Sequence, residues 1–147
     1  QAFWALQNGA DELDMVANLG ALKDGQLEVI RQEVSELMGL KAHYDFVLKV
    51  IVETGLLTPG ELIAVLHLLE GLKVDFIKTS TGINSRGASL EDIQTICKHR
   101  QTQISIKASG GIKTLAFARQ LIAAGADRIG SSNALNLVME EMAEKRP

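Results

Sequence analysis

The chain has 147 residues, with 15 Lys and Arg against 18 Asp and Glu, a formal net charge of −3, and 46 % hydrophobic and 22 % charged residues. This is the composition of one globular domain with a real core, and it carries no basic nucleic-acid footprint. No apolar stretch is long enough for a bilayer span, and one Cys with three scattered His excludes a disulfide framework or a zinc cluster.

Residues 1–8 read as the end of a helix, closed by Asn8 and Gly9. A strand is expected over 12–17. A helix over 24–38 follows, with Leu27, Ile30, Val34 and Leu37 as its apolar stripe. The β-branched run 46–53 predicts a strand. A helix over 59–71 has Thr58 as N-cap, Pro59 in its first turn and Glu61 placed for a capping box. A strand over 75–79 leads into a loop over 80–88 that carries Gly82 and Gly87. A helix over 90–98 is capped by Ser89, and a strand is expected over 103–108. A helix over 114–124 ends at Gly125, and a strand over 127–130 and a helix over 133–144 complete the chain.

These are five strand–helix units with no hairpin signal between them, which implies a parallel sheet with right-handed crossovers. Within each strand one set of alternating residues is apolar and the other is mixed. Leu13, Met15 and Ala17 oppose Glu12 and Asp14; Ile77 and Thr79 oppose Phe76, Lys78 and Ser80; Ile104 and Ile106 oppose Ser105, Lys107 and Ser109. One helix-covered face and one polar face fit the wall and lumen of a (β/α)8 barrel, whereas an open doubly wound sheet wants apolar residues on both faces. Such barrels take about 250 residues and eight units. The chain begins in mid-helix without an initiator Met. The expectation is one partial barrel domain over 1–147, made of the five C-terminal units, with roughly three N-terminal strands missing. Its exposed strand edges would invite association with a second copy, making a homo-oligomer.

Three lysines stand in or at the ends of apolar strands: Lys49, Lys78 and Lys107, each 29 residues from the next. A buried ammonium is costly unless it is paired or loses its proton. One such lysine is ordinarily a snorkelling or ion-paired side chain. Three at equivalent positions of successive units point to a site. Two like charges in a dry pocket cannot both stay protonated cheaply, and a neutral amine is the reagent for Schiff-base formation with a carbonyl. Asp14, at the end of the first strand, supplies a carboxylate for proton transfer and charge balance. Ser109-Gly110-Gly111 and Gly130-Ser131-Ser132 follow the last two strands. Their amides, small residues and hydroxyls suit a phosphate, as do the corresponding loops of many barrels.

Glu12 is expected in a lumen ion pair, and Glu53 and Thr54 are expected to orient the Lys49 strand. Phe3 and Trp4 are expected to pack within their helix, and His43, His67 and His99 to lie away from the strand ends. Cys97 is expected to be buried, and as a lone Cys it fits a reducing, cytoplasmic setting.

Five segments in order resemble the 2-deoxyribose-5-phosphate aldolase family: Gly-Ala-Asp-Glu-Leu-Asp-Met-Val (9–16), Leu-Lys-Val-Ile-Val-Glu-Thr (48–54), Asp-Phe-Ile-Lys-Thr-Ser-Thr-Gly (75–82), Lys-Ala-Ser-Gly-Gly-Ile (107–112) and Arg-Ile-Gly-Ser-Ser (128–132). The resemblance implies a class I aldolase on a TIM barrel, independent of metal or other cofactor. Its reaction is the reversible cleavage of 2-deoxy-D-ribose 5-phosphate to D-glyceraldehyde 3-phosphate and acetaldehyde in deoxynucleoside catabolism. It implies Lys78 as the Schiff-base lysine, Lys107 as the second lysine that eases loss of the Lys78 proton and joins Asp14 in proton relay, and Lys49 as a supporting pocket lysine. Gly110, Gly111, Gly130, Ser131 and Ser132 match phosphate-binding turns, and Thr81 and Gly82 line the substrate. Some members carry a Lys where Ile83 stands. Two alternatives remain open at this point: a Schiff-base aldolase for another phosphorylated aldehyde, and an inactive fragment that only binds phosphate. The expected partner is a small phosphorylated sugar or aldehyde, with no nucleic acid or membrane involved.

Overall fold

The computed structural model describes residues 1–83 and 86–145; residues 84–85 of the expected loop and the last two residues of the expected domain lie outside the described residues. Helix α1 (Ala2–Gln7) leads into β1 (Glu12–Val16). Two helices follow, α2 (Leu19–Lys23) and α3 (Leu27–Gly39). Then come β2 (Val47–Ile51), α4 (Pro59–Gly71), β3 (Phe76–Lys78), α5 (Leu90–His99), β4 (Ser105–Ser109), α6 (Leu115–Ala123), β5 (Arg128–Gly130) and α7 (Ala134–Glu144). The five strands form one sheet in the order β1-β2-β3-β4-β5, and every neighbouring pair is parallel. A sequential parallel order with helices between strands is an arc of a (β/α) barrel wall.

The alternation read from the sequence is the one observed. Leu48, Val50, Val52, Ile77, Ile106 and Ala108 point outward and are fully buried. They pack against Ile30 and Val34 of α3, Val65, Leu66 and Leu69 of α4, Ile93 and Ile96 of α5 and Leu121 of α6. Full burial of each large aliphatic side chain contributes about 1.5–3 kcal/mol, so this outer layer is what holds the strands in register. The other sheet face carries Glu12, Asp14, Lys49, Lys78 and Lys107, and these meet one another instead of a helix.

Helix α2 lies where the sequence reading placed no element. Asn18 accepts a hydrogen bond from the Ala21 amide and so caps a short helix. Gly25, at a φ of 70°, then turns the chain, so α3 begins at Leu27 rather than at residue 24. The capping box at Thr58 and Glu61 is present as expected. Phe3 and Trp4 are not packed within the helix: Trp4 is 69 % exposed, and half-exposed Phe3 meets Tyr44 edge-on at 6.0 Å. His67 and His99 sit on the outer helices α4 and α5, in contact through the His99 carbonyl at 3.0 Å. Cys97 is only half-buried, against the Ala124 carbonyl. No helix among the described residues is long and apolar enough to cross a membrane.

The strands begin with a repeated device. Asp75, just before β3, accepts from the Leu48 amide of β2 at 2.7 Å and pairs with Lys41. Asp127, just before β5, accepts from the Ile106 amide of β4 at 2.8 Å. Each carboxylate satisfies a strand amide that a parallel neighbour starting later leaves open. Asp127→Ala would strand the amide of fully buried Ile106, and we expect a loss of about 1–3 kcal/mol, read as a lower urea midpoint with an unchanged slope.

Candidate active site

In the sheet register Asp14 lies opposite Lys49, and Lys78 lies opposite Lys107. Lys49 does not lie opposite Lys78. It faces Phe76, and Ile51 takes the place beside Lys78. The even sequence spacing therefore suggested a common level that the ladder does not have: Lys49 sits one pleat deeper. All three lysines still reach Asp14. Lys78 Nζ lies 2.6 Å from Asp14 Oδ2, Lys107 Nζ lies 3.4 Å from the same oxygen, and Lys49 Nζ lies 2.9 Å from Oδ1. The Lys49 side chain is 2 % exposed, those of Lys78 and Lys107 are 13 % and 17 %, and that of Asp14 is 32 %. The deepest ammonium thus has the most complete pairing, and the two shallower ones face open space.

Glu12 extends the cluster downward, as expected of a lumen ion pair. Its Oε2 is 2.7 Å from Lys49 Nζ and 2.7 Å from Arg128 Nη1, and the Arg128 guanidinium lies over the Phe76 ring at 4.8 Å. Four cations share two carboxylates, so the cluster carries a surplus of positive charge that favours an anionic ligand. Hydrogen bonds from Arg128 and Lys49 bring the Glu12 pKa down to about 2. Burial works to raise that of Asp14, but hydrogen bonds from Lys78 and Lys49 and the charges of Lys78 and Lys107 outweigh it and hold it far below the carboxylate range. Burial pushes the Lys107 ammonium pKa down; the Asp14 charge resists, and the Lys78 and Lys49 charges add to the push. The repulsion between Lys78 and Lys107 inferred from sequence is real, but a carboxylate oxygen stands between them.

A cleft of about 490 Å³ opens from Lys78 and Lys107 across the loops after β3, β4 and β5. Thr81, Gly82, Gly110, Gly111, Gly130, Ser131 and Ser132 all line it, whereas Asp14 and Lys49 lie behind the lysines. Gly110 and Gly111 have φ of 86° and 72°, a left-handed pair that suits glycine. Their turn lies ahead of α6, whose N-cap is Thr114, so it is not at the helix end itself. The second turn is: Asn133 caps α7 without a side-chain bond to its first amides, which leaves these donors for an anion. Gly130 has a further part, since a side chain there would stand 3.3 Å from Lys107 Cε; its absence lets Lys107 lie along the sheet.

The loops are stitched together. Ser131 Oγ donates to the Ile112 carbonyl at 2.6 Å and accepts from the Asn133 amide, and Asn133 Nδ2 donates to the Lys113 carbonyl. The Ser131 hydroxyl is thereby committed to the fold, while Ser132 stays exposed on the cleft. Gly87 crosses Gly110 backbone to backbone; any side chain at Gly87 would collide with the Gly110 carbonyl, and the Ala88 amide donates to that carbonyl at 3.0 Å.

Two contributors escaped the sequence reading. Lys113 lines the cleft beyond the glycine pair, and a cation three residues past Gly110 was the available signal. Arg128 shares the lumen parity of Gly130. Glu53 and Thr54 follow the Lys49 strand. Glu53, fully buried, accepts from the Thr81 amide and hydroxyl, and Thr54 donates to Asp92. Among the described residues no three His, Cys, Asp or Glu are grouped to hold a metal ion.

No protein-family model matches the chain. Curated deoxyribose-phosphate aldolases do. That of Streptococcus pyogenes is 43 % identical over 137 residues, 93 % of this chain and 60 % of its own length. That of Streptococcus agalactiae is 41 % identical over 141 residues, 96 % of this chain and 62 % of its own length. The chain therefore spans about 60 % of the curated relatives it matches. Among solved structures, one described as an aldolase superposes with a TM-score of 0.90 at 38 % identity, over 97 % of this chain and 64 % of the other. The tetrameric deoxyribose phosphate aldolase of Aeropyrum pernix superposes with a TM-score of 0.86 at 30 % identity, over 97 % and 60 %.

The ion cluster makes stability depend on acid pH. A carboxyl with a depressed folded pKa stabilises the fold above its ordinary value near 4.5, and that contribution is lost as pH falls toward 2. Chemical-denaturation midpoints should fall through this window, and Glu12→Gln should make the decline shallower while leaving Asp14 to hold Lys49.

Proposed function

We propose that this chain, which belongs to the deoxyribose-phosphate aldolase family by sequence and fold, serves the cleavage of 2-deoxy-D-ribose 5-phosphate to D-glyceraldehyde 3-phosphate and acetaldehyde through a Schiff base on Lys78. The observation that carries this reading is the sharing of Asp14 Oδ2 between Lys78 and Lys107 at the head of a cleft that ends in two glycine-rich turns. A Lys78 amine freed of its proton attacks the open-chain aldehyde carbon, and loss of water leaves an iminium. A base takes the proton of the hydroxyl on C3, the C2–C3 bond breaks, and its electron pair moves into the iminium to give an enamine. Protonation at C2 and hydrolysis release acetaldehyde and return the free amine.

Asp14 and Lys107 are the groups in reach for these proton transfers. Asp14 already accepts the Lys78 hydrogen bond, and Lys107, pushed down by burial, is suited to giving and taking a proton. Lys49 holds the other Asp14 oxygen and so aims Oδ2 at the pair. The amides of Gly110, Gly111 and Gly130, the α7 N-terminus with Ser131 and Ser132, and the Lys113 ammonium form the seat for the 5-phosphate, with Thr81 and Gly82 along the sugar. We read residues 1–147 as a single domain acting in the reducing cytoplasm, a setting that suits lone Cys97. The tetramer reported for the Aeropyrum pernix relative supports self-association here.

With acetaldehyde and borohydride the intact protein should gain one reduced adduct at Lys78, found by peptide mass mapping. Lys78→Ala and Lys78→Arg should abolish it and lower retro-aldol turnover by a factor on the order of 10⁴ or more. An adduct at Lys49 or Lys107 would overturn the assignment.

Ser132→Glu places a carboxylate where the phosphate is to sit. It should raise KM for the 5-phosphate by about tenfold to a hundredfold and leave unphosphorylated 2-deoxyribose little changed. Equal effects on both substrates would mean that Ser132 does not meet the phosphate.

A further inference from the structure

Glu53 is a buried carboxyl that the chemistry above does not use. It follows β2, is fully buried and has a φ of 53°. Among the described residues the other non-glycine residue with positive φ is Lys73, in the turn just after α4, where a left-handed residue is common. Glu53 has no such excuse: it sits between a strand and a 3-10 turn, where Gly or Asn would be less strained. Strain of this kind persists only where the surroundings impose it, and it gathers at functional sites.

Here the surroundings are explicit. Thr54 donates its amide to the Thr79 carbonyl at 2.8 Å and its hydroxyl to Asp92 at 2.8 Å, and Arg86 grips Asp92 through both oxygens at 2.7 and 2.8 Å. That fixes the backbone behind Glu53 and turns its side chain across the end of β3. The Thr81 amide and the Thr81 hydroxyl, the two donors this residue owns, end on one oxygen, Glu53 Oε2, at 3.1 and 2.6 Å. The Thr81 hydroxyl in turn accepts from the Ile83 amide at 3.2 Å. Gly82, between them, has a φ of 86° and passes over Gly110.

We propose that Glu53 is a positioning residue that sets the Thr81–Gly82 turn against the cleft, and that Thr81 serves the substrate through the placement of its backbone rather than through a hydroxyl donor. This rests on the aldolase reading and deepens it. The wall beside Lys78 is thereby fixed from the adjacent strand, on the side opposite the Gly110 turn. Acetaldehyde, which lacks the carbons that would run along this wall, does not depend on it.

The test uses the intact gene product with Glu53→Gln, Thr81→Val, Thr81→Ser and the double variant Glu53→Gln/Thr81→Val. Borohydride trapping with acetaldehyde, KM and kcat for 2-deoxyribose 5-phosphate, and thermal unfolding are read on each. Glu53→Gln and Thr81→Val should each raise KM by about tenfold, the loss of one well-made hydrogen bond, while trapping at Lys78 persists in Glu53→Gln. Thr81→Ser keeps both donors and should recover most of the affinity that Thr81→Val loses. The double variant should be no worse than the poorer single one, because both break one link. A Glu53→Gln protein that only unfolds earlier, with KM unmoved, overturns the assignment. If Glu53→Gln does not fold, the two Thr81 variants decide: equal KM in both overturns it. Parent protein that forms no adduct overturns the aldolase reading and this assignment with it; normal trapping with unmoved KM overturns this assignment alone.

Discussion

A single carboxylate organises the polar face of this sheet. Asp14 touches three ammonium groups, and without it Lys78 and Lys107 would face each other with no carboxylate between them. Its two oxygens are not equivalent. Oδ1 meets Lys49, which is deep and also held by Glu12, and Oδ2 faces the two shallower lysines. A buried, doubly paired cation is a fixed anchor; a half-open pair sharing one oxygen is where a proton can move. The same alternation of charge, from Arg128 through Glu12 and Lys49 to Asp14, turns an unfavourable burial of cations into an ordered chain.

The fold separates charge from shape. The strands β1 to β5 deliver the ionisable groups, because successive side chains of one parity must point to the same face. The loops after β4 and β5 deliver the cleft's far wall, with left-handed glycines in the first and a helix start without a side-chain cap in the second. Gly130 belongs to both halves, since a side chain there would press on Ser109 and on the end of the Lys107 stem. The loop after β3 is gripped from two sides, by Glu53 at Thr81 and by Gly110 at Ala88. Outer apolar packing, which the strand order makes continuous, carries the stability that these polar arrangements do not supply.

Much of this was legible in the sequence for a simple reason: period-two alternation and single-step βα connectivity translate directly into faces and neighbours. Glu12, Asp14, Lys78 and Lys107 fell on the lumen by parity alone. The level of Lys49 did not, because equal spacing along the chain says nothing about stagger between strands, and the ladder places Ile51 rather than Lys49 beside Lys78. Helix α2 was hidden because its signal is one Asn cap followed by only five residues. The Glu53 contact with Thr81 was not legible because it depends on a positive φ, and no side-chain pattern announces that in a residue other than glycine. Ser131 looked like a phosphate ligand and is also a loop fastener, a distinction that rests on a hydrogen bond to the Ile112 carbonyl 19 residues away. Trp4, exposed on α1, shows the limit of reading packing from residue type.

The crossing of Gly87 over Gly110 has a consequence for how such a cleft can diversify. Two backbones in direct contact leave no side chain between them to enlarge, shrink or repack, so the distance between these two loops is not a variable that substitution can tune in small steps. Variation in the size or charge of what the cleft takes has to enter at positions with free volume on the cleft side. Ser132, exposed on the cleft, is such a position, whereas the glycine crossing is a hard stop. A library that randomised the glycines would return mostly misfolded loops, while one confined to Ser132 would vary the cleft on an unchanged frame.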